Sequence, residues 1–273
     1  MHQDFKDMGC AITNKETDKN LSLIDEIGAT FLRLAHYQHA QYTYNRCDSM
    51  GFVVWAELAL VNYITESPAF YSNAKLQLTE LVRQNYNHPS IIFWSVENEI
   101  TLQAGPDPSR LIKELADSVK QLDPSRLNTV GSNASDNNKV NWYTESVAFN
   151  KYFGWYDGTA NDFGAYADQL HSNFPNGIVG ISEYGAGANV GHHEDNPAQP
   201  SPGGEWHPEE YQNAFHEIHW KHMVKRRFLW CKLILEQFDF AADNSNEGSQ
   251  PGINDKGMVT HDRLMKKGLL FLV

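Results

Sequence analysis

The sequence has no long apolar run and very little cysteine. No stretch of about 18 apolar residues occurs, so no segment predicts a membrane-spanning helix. Only three cysteines stand among 273 residues, which excludes a disulfide-rich scaffold and leaves at least one thiol unpaired. Residues 1–7 lack the apolar segment of a signal peptide, so a cytoplasmic location is predicted for the chain as given, although a longer parent could be exported.

Basic residues are also scarce. The 22 Lys and Arg against 34 Asp and Glu give a formal net charge of −12. Nucleic acids and anionic membranes bind to positive surfaces, so neither is expected as a partner. A hydrophobic fraction of 41% supports a large core, and the length suits one α/β barrel, which typically takes roughly 250 residues.

Short apolar runs alternate with amphipathic segments along the chain. The runs are continuous rather than alternating in polarity, as in parallel strands buried on both faces. Predicted strands cover residues 29–35, 52–57, 90–96, 127–131, 146–152 and 177–182, with a seventh inside 228–240. Predicted helices cover 21–27, 76–82, 111–119 and 209–224. This order predicts an α/β fold, a (β/α)8 TIM barrel forming a single domain over residues 1–273.

Two of the predicted strands end in carboxylates. One runs into Glu97-Asn98-Glu99 and another into Glu183. Side chains at the carboxyl ends of barrel strands point into a shared mouth, and a carboxylate there must be paired or solvated. Two facing carboxylates are what glycoside hydrolysis requires. On spacing alone, exposed loop residues that cap the following helices remain an equal alternative.

The segments around these carboxylates read WSVENE at 94–99 and ISEYG at 181–185. Together with residues 2–9, 33–39, 53–57, 87–92, 238–243 and 251–257, in that order, they resemble glycoside hydrolase family 2, the β-galactosidase and β-glucuronidase group. The resemblance implies a retaining mechanism, with the two catalytic carboxyl groups roughly 5 Å apart. The implied catalytic residues are Glu99 as acid/base and Glu183 as nucleophile. The implied substrate-binding residues are His2, His36, Asn98, Tyr152, Asn254 and Lys256.

The identity of the sugar depends on Asn254 and Lys256. Members of the family that act on uronic acids hold the sugar carboxylate with an Asn-x-Lys pair. The residues flanking this pair are more like galactosidase-type members, so β-galactosidase activity is predicted. The alternatives are a β-glucuronidase or other β-uronidase, or a barrel that only binds carbohydrate. Trp155 is either a core aromatic or a sugar platform.

No cofactor is required by this resemblance. Some members bind a metal near the position of Glu57, but the residues that follow Glu57 do not match theirs, so Mg²⁺ or Na⁺ is left open. A helix carrying His216, His219 and His222 has the wrong spacing for a zinc site. It is interpreted as a solvated face.

The sequence departs from the family at three places. Met1 stands where the first barrel strand should be, and residues 268–273 correspond only to the start of the last helix, so a truncated barrel is expected. Leu235 replaces a tryptophan that forms the floor of the sugar subsite in relatives. An unclosed sheet has unpaired edges, so a homo-oligomer is predicted alongside a small carbohydrate ligand.

Overall fold

The computed structural model describes residues 1–243 and 245–271. In that part of the chain, seven strands form one sheet in the order β1 to β7, one fewer than in a complete (β/α)8 barrel. Neighbouring strands from β1 to β5 pair in parallel. The strands are β1 Phe31–Leu34, β2 Val53–Glu57, β3 Ile91–Asn98, β4 Leu127–Ser132, β5 Val147–Asn150, β6 Val179–Tyr184 and β7 Lys232–Ile234. An antiparallel pair follows, β8 Phe240–Ala241 and β9 Ile253–Asn254.

The helices alternate with these strands. They are α1 Asn14–Glu26, α2 Gln41–Met50, α3 Pro68–Asn85, α4 Ser109–Leu122, α5 Asp162–Asn173 and α6 Glu209–Met223, with short 3₁₀ helices at Lys139–Trp142 and Lys267–Phe271. None of the helices within the described ranges is long and apolar enough to cross a membrane. Residues 272 and 273, part of the predicted start of a last helix, lie outside the described residues.

All seven predicted strands are confirmed, each within a few residues of its predicted bounds. Four helices are confirmed, but the sequence analysis missed α2 and α5. Helix α2 has only weak apolar periodicity, since its buried residues are Thr43, Tyr44 and Cys47. It ends at Gly51, whose φ of 78° lies in the left-handed region that favours glycine.

The chain divides into two compact units. The first unit comprises Met1–Ala29, Lys151–Phe174 and the chain from Glu183 onward. The second unit comprises Thr30–Asn150 and Pro175–Ser182. Strand β6 belongs to both units. Its residues up to Ser182 lie in the second unit, and its residues from Glu183 onward lie in the first.

The core of the second unit lies between its strands and the helices α3 and α4. Helix α4 buries one complete apolar stripe, formed by Leu111, Ile112, Leu115, Ala116 and Val119. The end of this helix is tied to the sheet, because the buried Asp123 carboxylate accepts hydrogen bonds from Trp94 Nε1 at 2.9 Å and Arg126 Nη1 at 2.8 Å.

The first unit has an aromatic core around helix α6. Phe215, His216 and His219 on this helix pack against the buried ring of Tyr184. The prediction of a solvated histidine face is therefore wrong for His216 and His219, whose side chains are fully buried. The spacing of three residues places both on the same side of the helix as Phe215 and Met223, and this is the side that faces the core.

Candidate active site

The predicted acid/base, Glu99, follows the last residue of β3. Its backbone φ is 50°, a conformation that a residue with a side chain adopts only when its surroundings enforce it. Here its N–H donates to the carbonyl of Gly131 at 2.8 Å, which joins the end of β3 to β4. This strained turn lifts Glu99 out of the buried strand. Glu97 and Asn98 are buried, whereas Glu99 is only half-buried.

An ion pair deep in the second unit supports this strand end. Arg33 on β1 donates from Nε to Glu57 Oε2 at 2.8 Å, and both side chains are buried. Burial would raise the pKa of Glu57, but the adjacent Arg33 guanidinium holds it below its ordinary value. His36 joins the pair, with Nδ1 at 2.7 Å from Glu57 Oε1. The predicted substrate ligand His36 is therefore oriented by an ionised carboxylate.

The amide of Asn98 is fixed by the same group of residues. Arg33 Nη2 donates to Asn98 Oδ1 at 2.6 Å, so this atom is an acceptor and the amide nitrogen faces the other way. Gly131 permits this approach, because a Cβ atom there would lie 2.7 Å from Arg33 Nη2. Asn98, which is predicted to contact a sugar hydroxyl, is therefore held in a single orientation.

Asn150, the last residue of β5, connects Glu99 to β6, the strand that bears Glu183. Its Nδ2 donates to Glu99 Oε1 at 2.9 Å and to Asn98 Oδ1 at 3.3 Å. Its Oδ1 accepts from Ser182 Oγ at 2.6 Å, and Ser182 directly precedes Glu183. The sequence analysis assigned no role to Asn150, although the strand-end criterion that selected Glu99 would also have selected it.

Glu97 is the carboxylate of this segment that does not reach the mouth. Burial raises its pKa to about 8, although the N–H of Ile100 donates to Oε2 at 2.9 Å. A carboxyl that is neutral at pH 7 and bonded to the backbone supports the turn after β3 rather than the chemistry.

The predicted nucleophile, Glu183, lies in the first unit and is buried. Tyr152 donates its hydroxyl to Glu183 Oε2 at 2.6 Å, as the family resemblance implies. Their backbones are joined as well, because the N–H of Lys151 donates to the Glu183 carbonyl at 2.9 Å. The structure thus brings the predicted pair Tyr152 and Glu183 together. The separation of roughly 5 Å between Glu99 and Glu183 stays a prediction.

Asn254 and Lys256 lie in a second part of the first unit, which we call the lysine pocket. The pocket is formed by Lys256, Trp155, Tyr156 and Glu247. Lys256 Nζ forms an ion pair with Glu247 and lies 5.1 Å from the centre of the Tyr156 ring. Asn254 shapes the turn, since its Oδ1 accepts from the N–H of Lys256 at 3.1 Å.

One aromatic contact connects the lysine pocket to the predicted nucleophile, Glu183. The rings of Tyr156 and Tyr152 meet edge to face with centroids 5.0 Å apart, and Tyr152 is the donor to Glu183. Trp155, left open by the sequence, is a core residue, because it is 1% exposed and packs edge to face on His207. The sequence analysis missed Glu247, which stands in a polar loop without any motif.

The remaining predicted ligands can be placed individually. His2 stacks on Phe240 with ring centroids 4.1 Å apart, and Phe240 is paired with Asn254 across the β8–β9 ladder. Glu57, the candidate metal ligand, is engaged by Arg33 and His36 as described. Within residues 1–243 and 245–271 no three His, Cys, Asp or Glu side chains cluster in a way that could hold a metal ion. Mg²⁺ or Na⁺ near Glu57 stays an untested prediction.

Comparison with known proteins identifies the family. The family model described as "Glycosyl hydrolases family 2, TIM barrel domain" matches residues 1–272. The chain belongs to this family. The predicted resemblance is therefore confirmed, and with it the barrel fold.

Similar proteins of the family include β-glucuronidases and a candidate β-galactosidase. A β-glucuronidase of Bacteroides fragilis is 41% identical over 277 residues, covering 99% of this chain and 39% of that protein. The structure of an FMN-binding β-glucuronidase from Faecalibacterium prausnitzii superposes with a TM-score of 0.95 at 33% identity, covering 100% of this chain and 42% of the other. A B. fragilis structure described as a candidate β-galactosidase gives a TM-score of 0.94 at 33% identity, with coverage of 100% and 40%. The chain thus spans about two fifths of the length of the relatives it matches.

Proposed function

We propose that the chain is the catalytic barrel of a retaining β-glucuronidase. The observation that carries the proposal is the lysine pocket, in which a buried ammonium group already binds a carboxylate one aromatic contact away from Glu183. The similarity to β-glucuronidases of known sequence and structure supports it. The prediction of β-galactosidase activity has less support, and the uronidase alternative replaces it.

In the proposed reaction, Glu183 attacks the anomeric carbon while Glu99 donates a proton to the departing oxygen. The bond from Glu183 to the sugar forms as the glycosidic bond breaks, and the alcohol leaves with the proton. Glu99 then takes a proton from water, whose oxygen displaces Glu183 and releases the sugar with its configuration retained.

Tyr152 tunes the nucleophile. Its hydroxyl holds Glu183 Oε2, so Oε1 is the oxygen that attacks. In the covalent intermediate Oε2 becomes a carbonyl oxygen, and the same hydroxyl then stabilises the negative charge that returns to it as the sugar departs.

The sugar carboxylate is proposed to bind Lys256. An ammonium group in a buried site is a strong and selective partner for an anion, because water does not screen the interaction. Tyr156 adds a hydroxyl donor at the same place, since it already donates to Glu247 at 2.7 Å. A neutral sugar offers this pocket only a hydroxymethyl group.

A β-galactosidase remains the second candidate, since one similar structure carries that description. The carbohydrate ligand, the homo-oligomer and the cytoplasmic location remain predictions as well. None of them changes the assignment of the two carboxylates.

Replacing Lys256 by alanine tests the sugar assignment. We expect kcat/KM for a chromogenic β-glucuronide to fall roughly 100-fold or more, because a charge-assisted bond in a buried site is lost, while any hydrolysis of the matching β-galactoside stays unchanged. Lys225→Ala, an exposed lysine after α6, is the matched control, and Glu183→Gln is the inactive reference. Faster hydrolysis of the galactoside than of the glucuronide by the unmodified chain would contradict the proposal.

A further inference from the structure

The side chain of Glu247 is paired with the ammonium group that is proposed to bind the substrate carboxylate. The Lys256 side chain is 2% exposed, and a buried ammonium without a counter-charge is costly. Glu247 supplies that charge from a loop, with its own side chain 26% exposed. The pocket is therefore paired with an anion before any ligand arrives.

Both donors of the pocket are directed at this one carboxylate. Lys256 Nζ forms an ion pair with Glu247 Oε2, and the Tyr156 hydroxyl donates to Oε1. The carboxylate attached to C5 of a uronic sugar is also a planar group with two oxygens. It could therefore be held by the same ammonium and phenol groups. Glu247 therefore makes the contacts that the ligand would make.

The lysine is fixed, whereas the glutamate can leave. The backbone of Lys256 is held by Asn254, and the preceding residue, Asp255, is bound to His207 at 2.7 Å. The loop backbone beside Glu247 is also held, because the N–H of Gly248 donates to the Gly204 carbonyl at 3.0 Å. A rotation of the Glu247 side chain toward solvent would thus empty the pocket without moving the loop.

We propose that Glu247 is a resident surrogate for the substrate carboxylate, displaced into solvent when a uronic sugar binds Lys256 and Tyr156. This inference rests on the proposed β-glucuronidase function. It makes Glu247 a residue that lowers the affinity for every ligand of the pocket.

Lys256 favours charged over neutral sugars, because only a charged sugar replaces the anion that leaves. When a uronic sugar binds, its carboxylate replaces Glu247 as the ion-pair partner of Lys256. The ammonium group therefore keeps a counter-charge. A neutral sugar that displaced Glu247 would leave Lys256 buried and unpaired, which is strongly unfavourable. Because Glu247 must be displaced in either case, removing its charge should strengthen uronide binding.

The experiment compares Glu247→Gln with the unmodified chain. Because the neutral amide competes less well for Lys256, we expect KM for a β-glucuronide to fall roughly tenfold at nearly unchanged kcat, and the Kd of D-glucuronate by calorimetry to fall equally. Asp243→Asn is the matched control, since it removes one exposed carboxylate from the same loop. It should leave both constants unchanged.

Other outcomes overturn the inference. A KM that rises, as expected for Lys256→Ala, would make Glu247 a structural support of the lysine, and unchanged constants would deny any competition. If Glu247→Gln fails to fold, Glu247→Ala takes its place. The rise in Tm that D-glucuronate produces must then be larger for Glu247→Ala than for the unmodified chain. If the chain hydrolyses only neutral glycosides, the proposed function fails, and the calorimetric comparison still decides whether Glu247 competes with a carboxylate.

Discussion

At the scale of single residues, hydrogen-bonding side chains hold the two predicted catalytic carboxylates in place. Asn150 bonds both to Glu99 and to the residue that precedes Glu183. Ser182 fixes the direction of its amide, so the Nδ2 group always faces Glu99. We therefore predict that Asn150 positions Glu99, the predicted acid/base, and does not itself react.

We expect Asn150→Ala to lower kcat/KM for the preferred glycoside roughly 10- to 100-fold, the usual effect of losing a positioning hydrogen bond in an active site. A donated hydrogen bond favours the ionised carboxylate, so its loss should move the alkaline limb of the pH–rate profile to higher pH. Asn173→Ala, at the exposed end of α5, is the control. A fall in rate without any change in the profile would indicate a purely structural role.

Much of the site could be predicted from the sequence because its residues lie at strand ends or in family motifs. Glu99, Glu183 and Tyr152 combine both signals, and the structure joins Tyr152 to Glu183 as expected. Glu247 could not be predicted, since nothing in a polar loop says which of its carboxylates folds back on a lysine nine residues later. Trp155 was undecided because burial, not residue type, separates a core aromatic from a sugar platform.

At the scale of elements, the strands were easier to predict than the helices. Buried parallel strands are continuous apolar runs, whereas α2 buries a threonine, a tyrosine and a cysteine among polar neighbours. The histidines of α6 show the same limit. A histidine counts as polar in a periodicity analysis, yet His216 lies fully buried and neither of its ring nitrogens has a hydrogen-bond partner among the described residues.

Burial lowers the pKa of His216 to about 3, which gives the stability of α6 a defined pH dependence. Its pKa in the unfolded chain is near 6.5, so the unfolded state alone gains a proton as the pH falls from 6.5 toward 3, and stability is lost over this range. His216→Leu removes this penalty. We expect the free energy of unfolding of His216→Leu to exceed that of the unmodified chain by about 2 kcal/mol more at pH 5 than at pH 7.5.

Urea titrations at the two pH values measure this difference. His222→Leu, on the same helix but half-buried, serves as the control and should show a smaller change. An equal stability difference for His216→Leu at both pH values would contradict the burial argument.

At the scale of the whole molecule, net charge was a poor guide to the ligand. A formal charge of −12 by itself disfavours an anionic ligand, but the proposed ligand is an anion. The reason is that overall charge acts through solvent and is screened within about 10 Å, whereas Lys256 acts in a buried pocket. One shielded cation can outweigh many exposed carboxylates.

The most direct test of the account is to identify the residue that carries the covalent sugar. The chain would be incubated with a 2-deoxy-2-fluoro-β-glucuronyl fluoride, which forms the glycosyl-enzyme and slows its hydrolysis, and the digested protein would be analysed by mass spectrometry. The account predicts one uronyl adduct on Glu183, absent from Glu183→Gln and formed much faster than with the galactosyl analogue. An adduct on another residue, or labelling by the galactosyl reagent alone, would contradict it.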